Sequence, residues 1–552
     1  MTIPTEESMH KLTVTGSWKH VFDGAARELL ENRILPEYLK ERRWFGGKAR
    51  QITKLKITEQ IPMGDEASCP AQILLMRVEY AAGTPELYVL PLAFAEGDEA
   101  EEIAGNYPGG TICRLEASGV TGILYDGVYS NAFCRELLSS MAANASIRMN
   151  GGVLHAYRGK ALESHDENRP GLKPKVLSAE QSNTSVLYGT EYFLKLYRHP
   201  EKGLNPDLEI SRFLSEEAGF SPVPPFAGGV EYRIPGSEPI SICILQKFVP
   251  NRGDAWNYYL ESVTEYYRKI LEQREEVSGT PPNPASLLGF SYHEPALQHV
   301  ELIGQKPVDF AALLGRRTAE LHMALASGRD GSSFTPKSFS SRFRESILNS
   351  VSALTQNVLQ LLSNNLNVLP DHLRSEAMAI LDLDDRLVKN LQTFADNEIT
   401  AMRIRIHGDY HLGQVLFTGE DFVIIDFEGE PARSLAERRI KQSPLKDVAG
   451  MIRSFHYAAY LSLLSQLSAS SDDASLLTPW ADLWYSVMAG SFLNSYLETV
   501  RGAQFVPEDA FQLEILLKVF LIEKAIYELG YELNNRPAWV LIPIRGIMSL
   551  VK

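Results

Sequence analysis

The 552-residue chain has little cysteine: its four, Cys69, Cys113, Cys134 and Cys243, are scattered and form no CxxC pair. That excludes a disulfide framework or a cysteine-ligated metal site, and it favours a reducing compartment, so a cytoplasmic protein is expected. Positive charge is in deficit as well, Lys+Arg 54 against Asp+Glu 69 giving a formal net charge of −15. Nucleic acid and anionic membrane surfaces both require a basic face, so neither is an expected partner. No run of about 18 uncharged apolar residues occurs; the most apolar stretch, Leu516 to Ile522, is interrupted by Lys518. The opening residues MTIPTEESMHK are polar and show no apolar core of a secretory signal. Internal repeats and a GxGxxG phosphate loop are also missing. What remains is an ordinary globular composition, 44% hydrophobic and 22% charged, at a length that implies two to four domains of about 100–200 residues.

Three punctuated regions follow from patterning. Residues 1–165 alternate short β-like runs (Ala71–Glu79, Glu86–Ala93, Val120–Tyr125) with Gly-rich breaks, which predicts a sheet-rich module. The polar run SHDENRPGLKP at 164–174 reads as a linker. Residues 166–253 read as strand, turn, strand, helix and two more strands: Val186–Tyr188 and Tyr192–Tyr197 flank Gly189-Thr190-Glu191, a hairpin signal. Asn205-Pro206-Asp207 has the form of a helix start, with a capping amide, Pro in the first turn and an acid at the positive end. Residues 254–552 turn helical, with three- and four-residue apolar spacing in Leu313–Ala326 and Gln512–Tyr531 and polar loops at 328–333 and 465–475. The Pro-rich middle of Leu271–His299 reads as an excursion from that lobe.

The chemistry concentrates in IHGDYHLGQVLF (406–417), then TGED (418–421), then FVIIDFE (422–428). Two β-branched and aromatic runs around a short turn predict a hairpin, and symmetry about residue 420 sets Gln414 opposite Asp426. An amide and a carboxylate there suit a shared divalent cation, while Asp409, five residues before Gln414, suits a base for an acceptor hydroxyl. A zinc site on His407 and His411 is disfavoured, because Gly408 before a strand argues for a loop rather than a helix. His407 is expected to brace that loop.

These residues resemble the aminoglycoside-phosphotransferase-like branch of the protein-kinase-like fold. EQSNTS (180–185), FEGEP (427–431), SPLKDVAGMIRSF (443–455), YELNNRPAWVLIP (531–543) and RRWFGGKAR (42–50) are together similar to the bacterial maltokinases. The resemblance implies an α+β, bilobal kinase-like fold behind an N-terminal cap. It implies ATP and Mg²⁺ as cofactors and maltose as acceptor, with maltose 1-phosphate as product. Asp409 is then the catalytic residue, and Gln414 and Asp426 hold the metal. Lys195, positioned by Glu209, meets the nucleotide phosphates; Ser182, Asn183, Thr184 and Ser185 stand in the phosphate-loop position; and Gln246 and Phe248 fall at the adenine hinge. His411, Glu430, Arg453, Tyr531 and Arg536 are candidates for the sugar, with Asp447 bracing the loop and His456 standing where the family favours Asp. The resemblance also implies an association with trehalose synthase. Two alternatives stay open: another small acceptor such as glucosamine or an aminoglycoside, and a non-catalytic nucleotide-binding scaffold.

Overall fold

The computed structural model describes residues 9–64, 70–149, 151–163, 172–177, 182–274, 301–467 and 471–551. Most of the 164–174 run, Glu180 and Gln181, Cys69, and most of the Leu271–His299 excursion lie outside the described residues. The chain divides into two compact units, Met1–Glu216 with Pro224–Phe248, and Glu217–Val223 with Val249–Lys552.

The first unit carries two sheets. In the six-stranded one the spatial order is Lys11–Val14, Thr111–Ala117, Val120–Asp126, Glu86–Glu96, Ala71–Tyr80 and Ile52–Met63. Ala71–Tyr80 is buried along nearly its whole length, because side chains of a strand alternate between faces and both faces here are covered. Ile73 and Leu75 enter one apolar core, and Leu74, Met76 and Val78 the other. The seven-stranded sheet runs Ser146–Arg148, Val153–Arg158, Phe226–Arg233, Ile240–Lys247, Tyr192–Tyr197, Asn183–Tyr188 and Pro174–Val176. Its first two strands lie upstream of the run read as a linker, so this sheet begins earlier in the chain than patterning implied. Val186, Leu194, Val230 and Leu245 of the second sheet share one core with Ile73, Leu75 and Val89 of the first. A buried ion pair crosses the same boundary: Arg198 Nη2 stands 2.6 Å from Asp126 Oδ2, both almost inaccessible to solvent. Arg198 Nε also donates to Thr184 Oγ1 at 2.7 Å.

The second unit is helical, built on Ala255–Glu272, Gln305–Leu325, Ser341–Asn365, Leu445–Leu467, Ser471–Thr499, Ala510–Asn535 and Leu541–Val551, with shorter helices between. Gly315 lets the helices Gln305–Leu325 and Ser471–Thr499 touch backbone to backbone, since a Cβ there would meet Phe492 O at 2.1 Å. The polar run at 465–475, read as a loop, is helical as far as Leu467 and again from Ser471. Two short strands, Val415–Phe417 and Phe422–Ile424, form the expected hairpin.

Candidate active site

The loop at 406–411 is held by one buried carboxylate. Asp447, in the first turn of Leu445–Leu467, accepts from His407 N at 2.8 Å and from Gly408 N at 2.9 Å. His322 Nε2 lies 3.2 Å from the same carboxylate, and His322 Nδ1 lies 3.0 Å from the Tyr496 hydroxyl. Burial alone would raise the Asp447 pKa, but these hydrogen bonds and the neighbouring imidazoles more than offset it, and the group is held below the usual carboxylate range. Gly408 takes φ 86°, the left-handed turn that presents both N–H groups to Asp447. His407 does brace the loop: its Nε2 bonds Ile425 O at 2.9 Å, so that nitrogen carries the proton, and its Nδ1 accepts from Asp409 N at 3.4 Å. With His407 engaged at both ring nitrogens and His411 Nδ1 accepting from Gly413 N at 3.1 Å, this pair is not laid out to chelate zinc.

The hairpin register corrects one expectation. Val415 pairs with Ile424 and Ile425 N donates to Gln414 O, so Gln414 faces Ile425, one residue short of the partner that symmetry gave it. The side chains meet all the same, because Asp426 leaves strand geometry with φ 64° and Gln414 Nε2 reaches Asp426 Oδ2 at 3.1 Å. A left-handed conformation costs a non-glycine residue about 1–2 kcal/mol, and such strain persists where surrounding structure over-determines it. A carboxylate oxygen of Glu428 lies within 4.8 Å of one of Asp426. Two carboxylates and an amide whose oxygen is brought inward by a half-turn form a hard-oxygen set that fits Mg²⁺. Glu428 stands in FVIIDFE and FEGEP but was given no role from sequence; its register signal is the i, i+2 spacing from Asp426.

Asp409 opens onto a cavity of about 150 Å³ in the second unit, lined also by Glu430, Arg433, Lys446, Glu523, Lys524 and Tyr527. Its charges are largely matched within the wall. Arg433 Nε donates to Glu430 at 2.8 Å, Lys446 Nζ donates to Glu523 at 2.6 Å, and Lys524 Nζ stands 3.6 Å from Asp409 Oδ1. Burial, then Glu430, raises the Tyr527 hydroxyl pKa, so it stays protonated. Of the five sugar candidates Glu430 lines this cavity and the other four do not. Arg453 is buried and spends Nε and Nη2 on Glu528 Oε2, at 2.9 and 2.7 Å. Arg536 is bound twice to Glu532 four residues earlier and sits 4.1 Å over the Trp539 ring. Tyr531 is exposed beside it. His411 does not line the cavity; burial first of all lowers its pKa, and Lys524 lowers it further against the opposing Asp409. The missed lining residues Glu523, Lys524 and Tyr527 had a signal, polar groups at helical spacing that interrupt the apolar run of the helix Ala510–Asn535.

In the first unit, hairpin pairing sets Ser185 directly opposite Lys195, so the two share a face and Asn183 joins them two residues away. Thr184 points to the other face and is committed to Arg198, which removes it from the row it was expected to share with Lys195. Ser182 is exposed at the head of that strand. Lys195 Nζ is 3.2 Å from Asp207 Oδ2, a partner not named from sequence, in the helix Pro206–Glu216 that Asn205 caps through Asp207 N at 2.9 Å. Glu209 is buried on the same helix. Gln246 is buried with its Nε2 on Ser211 Oγ at 3.2 Å, so its side chain is turned into the sheet–helix packing and not toward a ligand. Phe248 N donates to Glu191 O at 2.8 Å, at the residue where the chain leaves this unit.

Comparison with known proteins bears out the resemblance read from the sequence. Residues 38–129, which include RRWFGGKAR, match the maltokinase N-terminal cap domain. The chain is 22% identical over 418 residues to a glucosamine kinase of Streptacidiphilus jiangxiensis, covering 75% of this chain and 80% of that protein. It is 24% identical over 409 residues to a glucosamine kinase of Mycolicibacterium smegmatis (strain ATCC 700084 / mc(2)155), covering 74% and 86%. A solved glucosamine kinase in complex with glucosamine, ADP and inorganic phosphate matches 94% of this chain and 99% of its own with a TM-score of 0.58 at 17% identity. The fold is therefore kinase-like, with mixed helices and sheets behind a maltokinase-type cap. Among the described residues no helix is long and apolar enough to cross a membrane.

Proposed function

We propose that the chain is a phosphotransferase that moves the γ-phosphoryl group of ATP to a sugar hydroxyl, with maltose as acceptor and maltose 1-phosphate as product. The observation that carries the reaction is the Asp447–His407 brace, which holds Asp409 at the mouth of a polar cavity. Asp409 orients the acceptor hydroxyl and takes its proton as the oxygen attacks phosphorus and the bond to ADP breaks. Asp426, Gln414 and Glu428 are the residues that would hold Mg²⁺, which when bound neutralises charge on the phosphates. Lys195, steadied by Asp207, is the phosphate-binding cation of the first unit, with Ser185 and Asn183 on its face.

A neutral acceptor is supported by the cavity wall. Glu430 and Glu523 each already serve a cation, which leaves little spare negative charge for an ammonium group. The cap match supports the same choice, and an association with trehalose synthase, which makes maltose, rests on that resemblance alone. A second reading, glucosamine as acceptor, is favoured by the named activity of the relatives. Phosphorylation of maltose, glucose, glucosamine and an aminoglycoside with ATP and Mg²⁺ decides between them. Maltose at a kcat/KM at least tenfold above the others supports the first reading, and glucosamine leading reverses it. Nucleotide binding without turnover of any acceptor returns the scaffold alternative.

A further inference from the structure

A second cavity in the helical unit, of about 620 Å³, shares no lining residue with the one at Asp409. Five cationic side chains line it, Lys337, Arg403, Arg405, Arg439 and Lys441, together with the hydroxyls of the turn at 332–335. No carboxylate is among its lining residues, in a chain whose net charge is −15. The size falls inside the range of small-molecule sites, about 300–1,000 Å³.

Of the five cations Arg405 is buried, Arg403, Arg439 and Lys441 are half-buried, and Lys337 is exposed at the rim. Lys337 and Arg403 are directly opposed in a two-stranded ladder, an arrangement of like charges that destabilises a sheet. Arg403 is fixed by its Nε bond to Ser338 O at 3.1 Å and by the Phe343 ring 4.0 Å beneath it. Arg405, two residues on, is 2% exposed and lies over the Phe334 ring at 5.6 Å. Such planar, pre-oriented guanidinium groups suit phosphate oxygens.

We propose that this cavity binds a small phosphorylated metabolite carrying at least two negative charges, at a site separate from catalysis. Its position gives the ligand a mechanical hold on the catalytic loop. Ile404 and Gln442 exchange hydrogen bonds at 2.9 and 2.8 Å as an isolated bridge; the chain runs on from the first into His407 and from the second into Asp447. A ligand spanning Arg403, Arg405, Arg439 and Lys441 closes that bridge from one side.

The test is calorimetric titration of the full chain with pyrophosphate and with glucose 1-phosphate at fixed ionic strength. One site per chain is expected for at least one probe, weakened at least tenfold by the double variant Lys337→Glu with Arg439→Glu and unchanged by Lys195→Ala. Ser333→Asp, which places a single carboxylate in the lining, gives the same loss should the double variant fold poorly. Preference for pyrophosphate assigns a polyphosphate compound, and preference for the other probe a sugar phosphate. Absence of binding by both at 1 mM overturns the proposal, and so does binding lost in Lys195→Ala but retained in the cavity variants. Because binding is read without turnover, the result stands apart from the identity of the acceptor.

Discussion

The loop that carries Asp409 and the helical wall that faces it are built on opposite principles. The loop is set by backbone groups: two N–H donors on Asp447, a ring N–H of His407 on Ile425 O, and one glycine in a left-handed turn. The wall is set by side chains pairing with each other, Arg433 with Glu430 within one turn and Lys446 with Glu523 between two helices, at partly exposed positions. Buried bonds from backbone to a carboxylate tolerate almost no change, because each lost partner leaves a desolvated polar group. Partly exposed ion pairs re-form with other partners or with water at small cost. The reaction should therefore be sensitive at the loop and the acceptor preference adjustable at the wall.

The largest effect expected is from Asp409→Asn. It keeps volume and loop geometry but removes the proton acceptor, so kcat should fall at least 10³-fold, about 4 kcal/mol by transition-state arithmetic. Nucleotide affinity and melting temperature should hold. A rate within tenfold of wild type would show that the loop is merely structural and erase the contrast drawn above. Next comes Asp447→Ala, which strands the N–H groups of His407 and Gly408 together with the His322 ring. Removing one partner of a buried charged network costs about 3–5 kcal/mol, read by denaturant unfolding. A loss below 1 kcal/mol would mean that the loop is held by something else. On the wall, Glu430→Gln should raise the acceptor KM about tenfold with kcat little changed, because it alters ground-state binding alone. Arg536→Ala, by contrast, should leave both constants near wild type, since that side chain serves Glu532 and Trp539.

The same division explains which parts were legible in the sequence. HGD, its hairpin and the two strands around Gly189 are local devices, readable from turn chemistry and alternation over a dozen residues. The bracing role of Asp447 was legible only through the family resemblance of the stretch SPLKDVAGMIRSF. The row beside Lys195 was half legible: period-two alternation separates Ser185 from Thr184, but only the three-dimensional fold shows Arg198 claiming the latter against Asp126. Asp207 and Glu428 lie two residues from a named neighbour, and one residue of helical rotation or a left-handed backbone angle decides which carboxylate points where. The wall was least legible. Arg453, Tyr531 and Arg536 sit inside the family-like stretches, yet which face of a long helix turns to the cavity depends on packing with helices far away in sequence.

The smallest effect concerns His456, a titratable group that the fold keeps neutral on the far side of this contrast. It is buried, stacked on Tyr460 at 4.5 Å, and its Nδ1 has no hydrogen-bond partner among the described residues. Burial, then the cations Arg453 and Arg545, pushes its pKa well below the usual imidazole value. The unfolded chain then binds a proton near pH 6.5 that the folded chain refuses. Stability contributed by this group is thus complete above pH 6.5 and declines as pH falls below it, by up to about 1.4 kcal/mol per pH unit for one proton. His456→Phe has no proton to gain, so its unfolding free energy should be flatter than wild type between pH 6.5 and 5, while at pH 8 the two should differ by about 1 kcal/mol or less. Parallel curves would show that the imidazole takes up its proton in the folded chain as readily as in the unfolded one.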